Sequence, residues 1–430
     1  MSIEELYSLY LQNPSVQTDT RKLKAGDIFF ALKGDQFNGN TFTKQAVEEG
    51  AAYVVIDDAA FEIRGKTILV PDTLSTLQQL AKHHRETFSI PFIAITGSNG
   101  KTTSKELIHA VLSSAFKTYT TDGNLNNHIG VPLTILKIKN DAEIAVIEMG
   151  ANHLGEIAGY CVYAQPTHGL ITNCGKAHLE GFGSLEGVKK GKGELFDYLR
   201  TKNDSTAFVM WDYDYLREMS KGISGIIKYG TVDAHLEGIT RKNEPWLEVE
   251  ITRGMDDTII HSKLVGEYNL PNILAAAAVG KFFGLPDDGI KNALENYVPS
   301  NSRSQLLEKD SNKIILDAYN ANPSSMRLAI ENFAKLPATN KVMMLGAMAE
   351  MGTESIAEHQ AIVELIKKYS WKDVVLVGGD FGKIEHPFLQ FEDAAEAGIW
   401  LKEQAFRDTH FLIKGSRSMQ MEKVLNGMDY

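Results

Sequence analysis

Cysteine, proline, basic charge and long apolar runs are all scarce in this sequence of 430 residues. Its two cysteines, Cys161 and Cys174, cannot build a disulfide framework or a four-cysteine zinc site, and they fit a reducing cytosol. With 44 basic and 55 acidic side chains the net charge is −11, which argues against a general binder of nucleic acids or anionic membranes. Apolar runs end after about eight residues, too few to cross a bilayer, and the first residues lack a signal-peptide pattern. We therefore expect a cytoplasmic globular protein.

What remains is an ordinary globular composition, 43% hydrophobic and 23% charged, in a chain long enough for about three domains. Short apolar runs with strand character alternate with segments of helical periodicity, which predicts α/β packing throughout. We expect a small α/β domain over 1–88, a central domain over 89–299 built on a P-loop ATPase-like parallel sheet, and a Rossmann-like domain over 300–430. Alternating residues at 206–266 predict an antiparallel addition to the central sheet, and the polar segment 298–304 is the predicted hinge. In the last domain strands and helices alternate, and the segment HFLIKG is predicted to lead into a final helix.

The segment AITGSNGKTTSKEL carries the strongest local signal, because a buried strand, a glycine-rich turn and a helix start follow one another. Backbone N–H groups on such a turn cradle phosphate oxygens; Lys101 would meet the β- and γ-phosphates, and Thr102 would place its hydroxyl on Mg²⁺. Ile95 stands where the strict motif has another glycine, so the loop is a shortened variant that predicts ATP or GTP. The predicted nucleotide-binding residues of the loop are Thr96, Gly97, Ser98, Asn99, Gly100, Lys101, Thr102 and Thr103.

Two further residues are candidates for a metal site near this loop. Glu148 ends a buried strand at the edge where α/β sheets place their sites, and His178 follows the next strand. A carboxylate beside Thr102 suits Mg²⁺, whereas the imidazole is as consistent with a surface histidine. Lys192 lies in the basic segment VKKGKGELF, which by composition alone indicates a solvated lysine on a helix face.

With these residues in hand, the chain resembles the Mur ligase family along nearly its whole length. The matching segments are TDTRKLKAGDIFFALKG, ITGSNGKTTSKE, NLNNHIGVPLTIL, VIEMGANHLGEI, ITNCGKAHLEGFGSLEGVKKGKGELF, YNLPNILAAAA, DAYNANPSSM and LIKGSRSM. The resemblance implies an ATP-dependent amide ligase that uses Mg²⁺ and proceeds through an acyl phosphate. The segments DAYNANPSSM and LIKGSRSM favour the member that joins D-alanyl-D-alanine to UDP-N-acetylmuramoyl-tripeptide.

The resemblance also implies roles for individual residues. Thr102, Glu148 and His178 match the Mg²⁺ ligands, and Lys192 matches a lysine that is carbamylated, which requires a neutral amine and hence a lowered pKa. The implied catalytic residues are Lys101, His178, Lys192 and Arg303. Asn272 matches the residue that holds adenine, Arg303 the arginine that meets the γ-phosphate on domain closure, and Asp317 a nucleotide-facing aspartate. The implied substrate-binding residues are Thr20, Arg21, Lys33 and Gly34 for the uridine diphosphate, Asn127 for the muramoyl end, Asn322, and Lys414, Ser416 and Arg417 for the dipeptide carboxylate.

Several alternatives stay open at this point. Asn322 followed by Pro323 is also typical of a helix N-cap, and Arg303 also fits a flexible linker. A sister ligase or a folylpolyglutamate synthetase would share the phosphate loop, as would a phosphotransferase, a nucleotide switch or a non-catalytic ATP-binding regulator. Dependence of ADP release on the dipeptide separates these classes. The sequence leaves open whether the third residue of the peptide is diaminopimelate or lysine, and we expect a monomer.

Overall fold

In the computed structural model, which describes residues 1–34, 36–256, 258–300 and 302–428, three β-sheets of four, nine and six strands follow one another along the chain. Each sheet lies inside one of the predicted ranges, so the expected α/β architecture is confirmed, while the boundaries after residues 88 and 299 stay predictions. We call the units the N-terminal, central and C-terminal domains. Among the described residues, no helix is both long and apolar enough to span a membrane.

The N-terminal domain is built on a parallel sheet with the strand order β1-β2-β5-β6, beside the hairpin β3-β4. Its elements are α1 (Ile3–Gln12), β1 (Val16–Gln17), β2 (Ile28–Phe30), β3 (Lys33–Gly34), β4 (Phe37–Asn38), α2 (Thr43–Glu48), β5 (Tyr53–Ile56), β6 (Thr67–Leu69) and α3 (Thr73–Glu86). Helix α1 begins at a capping box in which Ser2 and Glu5 satisfy each other's backbone N–H groups. Helix α3 begins at Asp72, whose side chain accepts the N–H of Ser75 at 2.6 Å.

The end of α3 fastens the N-terminal domain to the central domain. Buried Arg85 donates hydrogen bonds to the carbonyl oxygens of Ala164 and Gln165, both at 3.0 Å, and of Phe88 at 2.8 Å. Its guanidinium also lies 3.8 Å from the ring centroid of Phe92. A planar cation with five donors can satisfy several carbonyl groups at once, so this one side chain fixes the angle between two domains.

The central domain carries the nine-stranded sheet in the order β15-β14-β13-β12-β11-β10-β7-β9-β8. Its strands are β7 (Phe92–Thr96), β8 (Thr118–Thr120), β9 (Ile144–Glu148), β10 (His168–Ile171), β11 (Thr206–Met210), β12 (Gly225–Gly230), β13 (Leu236–Asn243), β14 (Leu247–Arg253) and β15 (Thr258–His261). Its helices are α4 (Lys101–Ser113), α5 (Gly130–Leu136), α6 (Glu156–Ala164), α7 (Leu179–Phe182), α8 (Leu185–Arg200), α9 (Asp214–Ser220), α10 (Leu270–Phe282) and α11 (Asp287–Asn296). Strands β7 and β9 are buried along their whole length, as a parallel sheet covered on both faces requires.

The antiparallel addition predicted for 206–266 begins later than expected. Strands β11 and β12 pair in parallel with the central sheet, and β13 also joins β12 in parallel. Antiparallel pairing starts only between β13 and β14 and continues to β15. The alternation of polar and apolar residues predicted strands correctly, but alternation does not distinguish an edge of a parallel sheet from an antiparallel hairpin.

The C-terminal domain has the strand order β16-β17-β21-β18-β19-β20, in which β16 alone pairs antiparallel among the described strands. Its elements are β16 (Gln305–Lys309), β17 (Asn312–Asp317), α12 (Pro323–Lys335), β18 (Lys341–Gly346), α13 (Ser355–Ile366), β19 (Asp373–Val377), β20 (Leu389–Phe391), α14 (Ala394–Gln404) and β21 (His410–Lys414). The sequence pattern missed the edge strands β16 and β20. The predicted final helix is instead a pair of 3-10 segments, Arg417–Met419 and Met421–Met428.

Replacing Arg85 with methionine removes the guanidinium but keeps most of the apolar volume. We expect Arg85→Met to lower the free energy of unfolding by about 2–4 kcal/mol, because three buried carbonyl groups lose their donor. Thermal unfolding measures the change, and Arg64→Met, at an exposed arginine of the same domain, is the matched control. Equal melting temperatures for the two variants would contradict the assigned role of Arg85.

Candidate active site

A cavity of about 900 Å³ lies between the central and C-terminal domains, at the carboxyl ends of the central strands of both sheets. This is where open α/β sheets bind their ligands, because loops leave the strands there and helices begin. The predicted site residues that line the cavity are Ser98, Asn99, Gly100, Lys101, Thr102, Thr103, Asn127, Glu148, His178, Asn272, Arg303, Asp317, Asn322, Lys414, Ser416 and Arg417.

The phosphate loop joins β7 to α4 and is tied to the neighbouring strand β10. The N–H of Ser98 donates to the carbonyl of Asn173 at 2.9 Å, and the hydroxyl of Thr172 donates to the carbonyl of Asn99 at 2.6 Å. Gly97 has φ +140° and leaves no room for a side chain, since a Cβ there would lie 2.0 Å from the hydroxyl oxygen of Thr172. Gly100 has φ +80° and directly precedes the helix. The loop is therefore held in a conformation that exposes backbone N–H groups at a helix N-terminus, which suits phosphate.

Lys101 folds back over this loop. Its Nζ donates to the carbonyl oxygens of Gly97 at 2.7 Å and Ser98 at 3.2 Å. Desolvation lowers the pKa of Lys101, the carboxylate of Glu148 opposes that shift, and the guanidinium of Arg303 adds to it. Its hydrogen bonds are to neutral carbonyl groups, so an anionic phosphate would be a stronger partner for the ammonium.

Glu148 sits at the end of β9 with its carboxylate buried. Its Oε1 accepts hydrogen bonds from the hydroxyl of Thr102 at 3.1 Å and from Nδ2 of Asn126 at 2.7 Å. Its Oε2 is buried without a hydrogen-bond partner in the described part of the chain. A buried anionic oxygen needs a partner, and a hydroxyl and a carboxylate oxygen side by side are the donors that Mg²⁺ prefers. Among the described residues, no three or more His, Cys, Asp or Glu groups lie together as a set that could hold a metal ion.

Lys192 is fully buried on α8, so the composition-based expectation of a solvated lysine is wrong. Its Nζ donates to the carbonyl of Ala151 at 2.8 Å and lies 5.0 Å from the ring centroid of Phe182. Burial, and then the charge of Lys101, lower the pKa of Lys192 to about 7. The lowered pKa expected for this residue is therefore present, and much of its amine is neutral near neutral pH.

His178 enters the cavity from the turn that precedes α7 and has the left-handed backbone angle φ +51°. Its Nδ1 is hydrogen-bonded to the carboxylate of Glu350 in the C-terminal domain, and this bond holds the pKa of Glu350 below its ordinary value. The sequence analysis did not single out Glu350, which lies 172 residues further along the chain. His178 is thus a residue of the cavity, but its partner in this structure comes from the other domain.

The C-terminal domain contributes a second set of contacts to the nucleotide-binding loop. Asn322 is the N-cap of α12, as one alternative predicted, and its Nδ2 also donates to the side-chain oxygen of Asn99 at 2.8 Å. Arg303 stacks its guanidinium 3.6 Å from the ring centroid of Tyr319, beside the cavity. Asn272 contacts the loop from α10, where it accepts the hydroxyl of Ser104 at 2.9 Å.

The residues predicted to hold the dipeptide carboxylate line the cavity but already have partners. Lys414 is buried and pairs with Asp317 at 2.6 Å, and Arg417 pairs with Glu422 at 2.7 Å. Ser416 donates its hydroxyl to a backbone carbonyl at 2.6 Å. Lys414 is therefore paired with the carboxylate of Asp317, which the sequence pattern could not show.

The predicted diphosphate-binding residues lie apart from this cavity, in the N-terminal domain. Arg21 is exposed and pairs with Asp19 at 2.8 Å, and Lys33 pairs with Asp57 at 2.8 Å. Thr20 begins a 3-10 turn, and Gly34 ends β3. Of the other predicted residues, Thr96, Gly97 and Lys192 lie directly behind the cavity wall rather than in it.

Asp212, Tyr213 and Thr231 also line the cavity and were missed by the sequence analysis. They follow the carboxyl ends of β11 and β12, and both carboxylate oxygens of Asp212 accept the N–H of Thr231, at 3.0 and 3.1 Å. The rule that parallel strands carry their sites at their carboxyl ends would have found them, had β11 and β12 been recognised as parallel.

Comparison with known proteins agrees with this geometry. Residues 14–85, 95–280 and 302–417 match the family models described as Mur ligase family, catalytic domain; Mur ligase middle domain; and Mur ligase, glutamate ligase domain. The chain belongs to the Mur ligase family. It is 34% identical to the UDP-N-acetylmuramoyl-tripeptide–D-alanyl-D-alanine ligase of Bacillus subtilis, over 99% of this chain and 97% of that protein.

Two solved structures have the same fold over nearly the whole chain. MurF from Acinetobacter baumannii superposes with a TM-score of 0.88 at 30% identity, covering 97% of this chain and 93% of that one. MurF from Thermotoga maritima, solved in complex with ADP, superposes with a TM-score of 0.86 at 27% identity, covering 97% of both chains. The likeness therefore includes all three domains rather than the phosphate loop alone.

Replacing Lys192 with methionine tests whether its burial is as costly as its lowered pKa implies. We expect Lys192→Met to raise the free energy of unfolding by about 1–4 kcal/mol at pH 6–7, because a buried amine that is hydrogen-bonded to a neutral carbonyl group is replaced by an apolar chain of similar volume. The lysine pKa is lower in the folded state than in the unfolded state. The penalty is therefore complete below pH 7 and fades as the pH rises towards the ordinary lysine value.

The measurement is thermal unfolding at several pH values in buffers free of carbon dioxide, so that the amine stays unmodified. Lys190→Met, at an exposed position on the same helix, is the matched control and should change stability little at any pH. A Lys192→Met protein that is less stable than wild type at pH 6, or whose gain grows with pH, would be incompatible with a neutral buried amine.

Proposed function

We propose that this protein is the ATP-dependent, ADP-forming ligase that joins D-alanyl-D-alanine to UDP-N-acetylmuramoyl-tripeptide in peptidoglycan precursor synthesis. Transfer of the γ-phosphate to the tripeptide carboxylate, followed by attack of the dipeptide amine, forms the amide bond. The observation that carries this proposal is the meeting of Lys101, Glu148 and His178 in one cavity whose far wall is the C-terminal domain. Relatives that carry this activity in their names match the chain from end to end, which supports the same assignment.

The phosphate end of the nucleotide would be held by the loop from Thr96 to Thr103. Backbone N–H groups of this loop and the N-terminus of α4 attract the phosphate oxygens, and Lys101 exchanges its carbonyl partners for the β- and γ-phosphates. Arg303 reaches the γ-phosphate from the C-terminal side. Asn272 and Asp317 face the adenosine part of the same ligand.

Thr102, Glu148, His178 and a carbamate on Lys192 would hold Mg²⁺. Bound Mg²⁺ supplies positive charge between the phosphate oxygens and the substrate carboxylate, which otherwise repel each other. The unpaired Oε2 of Glu148 supports this assignment, because it leaves one lone buried anionic atom for an ion to satisfy. Lys192 contributes through its neutral amine, the form that carbon dioxide modifies, and the modification turns a repelling cation into an attracting anion.

The three domains would divide the substrates among them. Residues 1–88 bind the uridine diphosphate through Thr20, Arg21, Lys33 and Gly34, and Asn127 receives the muramoyl end beside the central domain. Residues 89–299 hold ATP, and residues 300–430 bind the dipeptide through Asn322, Lys414, Ser416 and Arg417. A cytoplasmic location follows from substrates of this kind, and it agrees with two cysteines that are both free and buried.

The decisive experiment measures phosphate release with ATP, Mg²⁺ and UDP-N-acetylmuramoyl-tripeptide, with and without D-alanyl-D-alanine, and identifies the product by mass. We expect release only with both substrates, together with a UDP-N-acetylmuramoyl-pentapeptide. Lys101→Ala should keep its fold and lose turnover, whereas Lys117→Ala, at an exposed lysine of the same domain, should retain it. Release that ignores the dipeptide would indicate a phosphotransferase or hydrolase, and binding of ATP without release would indicate a regulator.

A second test addresses the carbamate on Lys192. Lys192→Ala should abolish ligation, because the site loses the anion that the modified lysine provides. A short-chain carboxylic acid such as acetate should restore part of the rate in this variant and leave the wild-type rate unchanged. Full activity of Lys192→Ala without added acid would remove the carbamate from the mechanism.

A further inference from the structure

The contact between His178 and Glu350 joins the central and C-terminal domains at the predicted metal site. Both residues have left-handed backbone angles, φ +51° for His178 and +59° for Glu350, although neither is glycine. Such conformations are unfavourable for residues other than glycine and persist where surrounding contacts enforce them. Their joint occurrence at one side-chain contact indicates that the two turns are shaped to bring these groups together.

The turn that carries Glu350 is fixed by its own domain. It follows β18, and within it the N–H of Met348 donates to the imidazole of His359 at 3.0 Å, while the side chain of Met351 is buried. The carbonyl of Glu350 also accepts the N–H of Glu180, at 3.4 Å, from the first turn of α7. Glu350 therefore touches the His178 turn through both its backbone and its side chain.

The chemistry of the contact determines the proton position on the imidazole. A carboxylate only accepts hydrogen bonds, so Nδ1 of His178 must be the donor. In the neutral ring, Nε2 then carries the free lone pair, and the described residues provide no hydrogen-bond partner for it. A histidine that binds a metal through one ring nitrogen usually donates its other N–H to a carboxylate in this way, which fixes both the tautomer and the ring orientation.

We propose that Glu350 is a positioning residue of the metal site, which holds His178 in the tautomer and orientation that present Nε2 to Mg²⁺. Because Glu350 belongs to the C-terminal domain, metal affinity rises when that domain docks on the central domain. The inference rests on the proposed function for the identity of the metal ion. It adds that a residue of the C-terminal domain orients a proposed metal ligand of the central domain.

A second ion pair at the same interface offers a matched control. Lys176 pairs with Glu358 on α13 at 2.5 Å, and the backbone N–H of Lys176 donates to the hydroxyl oxygen of Ser324 at 3.0 Å. Removing the Glu358 carboxylate deletes one ion pair of this interface, of a kind that contributes little to docking, and leaves the contact between His178 and Glu350 in place. Comparing variants of Glu350 with a variant of Glu358 therefore separates an effect on the imidazole of His178 from an effect on domain docking alone.

The test uses full-length protein labelled with ¹⁵N-histidine, in which the spectrum of His178→Gln identifies the His178 signal among the twelve histidines. We expect wild type and Glu350→Gln to show the Nδ1–H tautomer, since an amide oxygen still accepts. Glu350→Ala should shift His178 towards Nε2–H, and Glu350→Lys, which can only donate, should complete that shift. Glu358→Ala should keep the wild-type tautomer.

The companion measurement is the affinity for Mn²⁺ as a paramagnetic probe, in the presence of a non-hydrolysable ATP analogue. Glu350→Ala and Glu350→Lys should bind Mn²⁺ about 10–100-fold more weakly than wild type, and Glu358→Ala within about twofold of it. An unchanged tautomer of His178 in both Glu350→Ala and Glu350→Lys overturns the proposal. A change of tautomer without a loss of Mn²⁺ affinity also overturns it. Equal losses for Glu350→Ala and Glu358→Ala also overturn it, because docking alone would then explain them.

Failure of this inference is distinguishable from failure of the proposed function. Neither the tautomer nor the Mn²⁺ affinity depends on turnover, whereas ligation by wild type is measured by product mass. A wild-type protein that makes no pentapeptide yet shows the expected Glu350 effects would support the positioning role and refute the ligase assignment.

Discussion

The charge balance around the phosphate loop constrains the rest of the site. The charge of Lys101 disfavours a charge on the buried Lys192, and the carboxylate of Glu148 opposes the lowering of the pKa of Lys101. Two ammonium groups with one carboxylate would repel a metal ion. Holding Lys192 neutral removes one of those charges, and its conversion to an anion would reverse the sign of the local field. The burial of Lys192, which lowers the pKa of its amine, is thus the feature on which the proposed cation site depends.

The sequence alone predicted those parts of the site whose conformation depends on a few contiguous residues. The loop from Gly97 to Lys101 could be read residue by residue, because strand, turn and helix start are contiguous and glycine is required at positive φ. Lys192 could not be placed in this way, because the segment around it is rich in lysine and resembles an exposed helix face. Its burial depends on Phe182 and Ala151, which pack against it from other elements.

The sequence pattern did not predict the contacts between domains, for a different reason. The hydrogen bond between Asn99 and Asn322 joins residues 223 positions apart, and each asparagine has an adequate local explanation, in a turn and as a helix cap. Glu350 lies in a turn that carries no recognisable motif, and only the structure shows which imidazole it meets. Edge strands were missed for a related reason, since Gln305–Lys309 is half-exposed and lacks the apolar run that indicates a central strand.

The two domain interfaces differ in a way that bears on how the site is assembled. The N-terminal domain is held by buried groups that satisfy backbone carbonyls, such as Arg85 and His84, whose Nε2 lies 2.8 Å from the carbonyl oxygen of Ile138. Separating them would leave buried polar groups without partners, at a high free-energy cost. The C-terminal domain meets the central domain through side chains that are less completely buried, including the half-exposed Lys176, which pairs with Glu358. A partly exposed pair of this kind costs less to separate.

This difference predicts which boundary moves. An interface held by partly exposed ion pairs can separate to admit ATP and then form again. An interface held by a buried guanidinium instead keeps the angle between its two domains. Arg303 and Asp317, which line the cavity and are proposed to meet the nucleotide, are therefore carried by the domain that is easier to displace. Metal ligation that depends on Glu350 would then be complete only when that domain is docked, so the ion would be held most tightly when both substrates are enclosed.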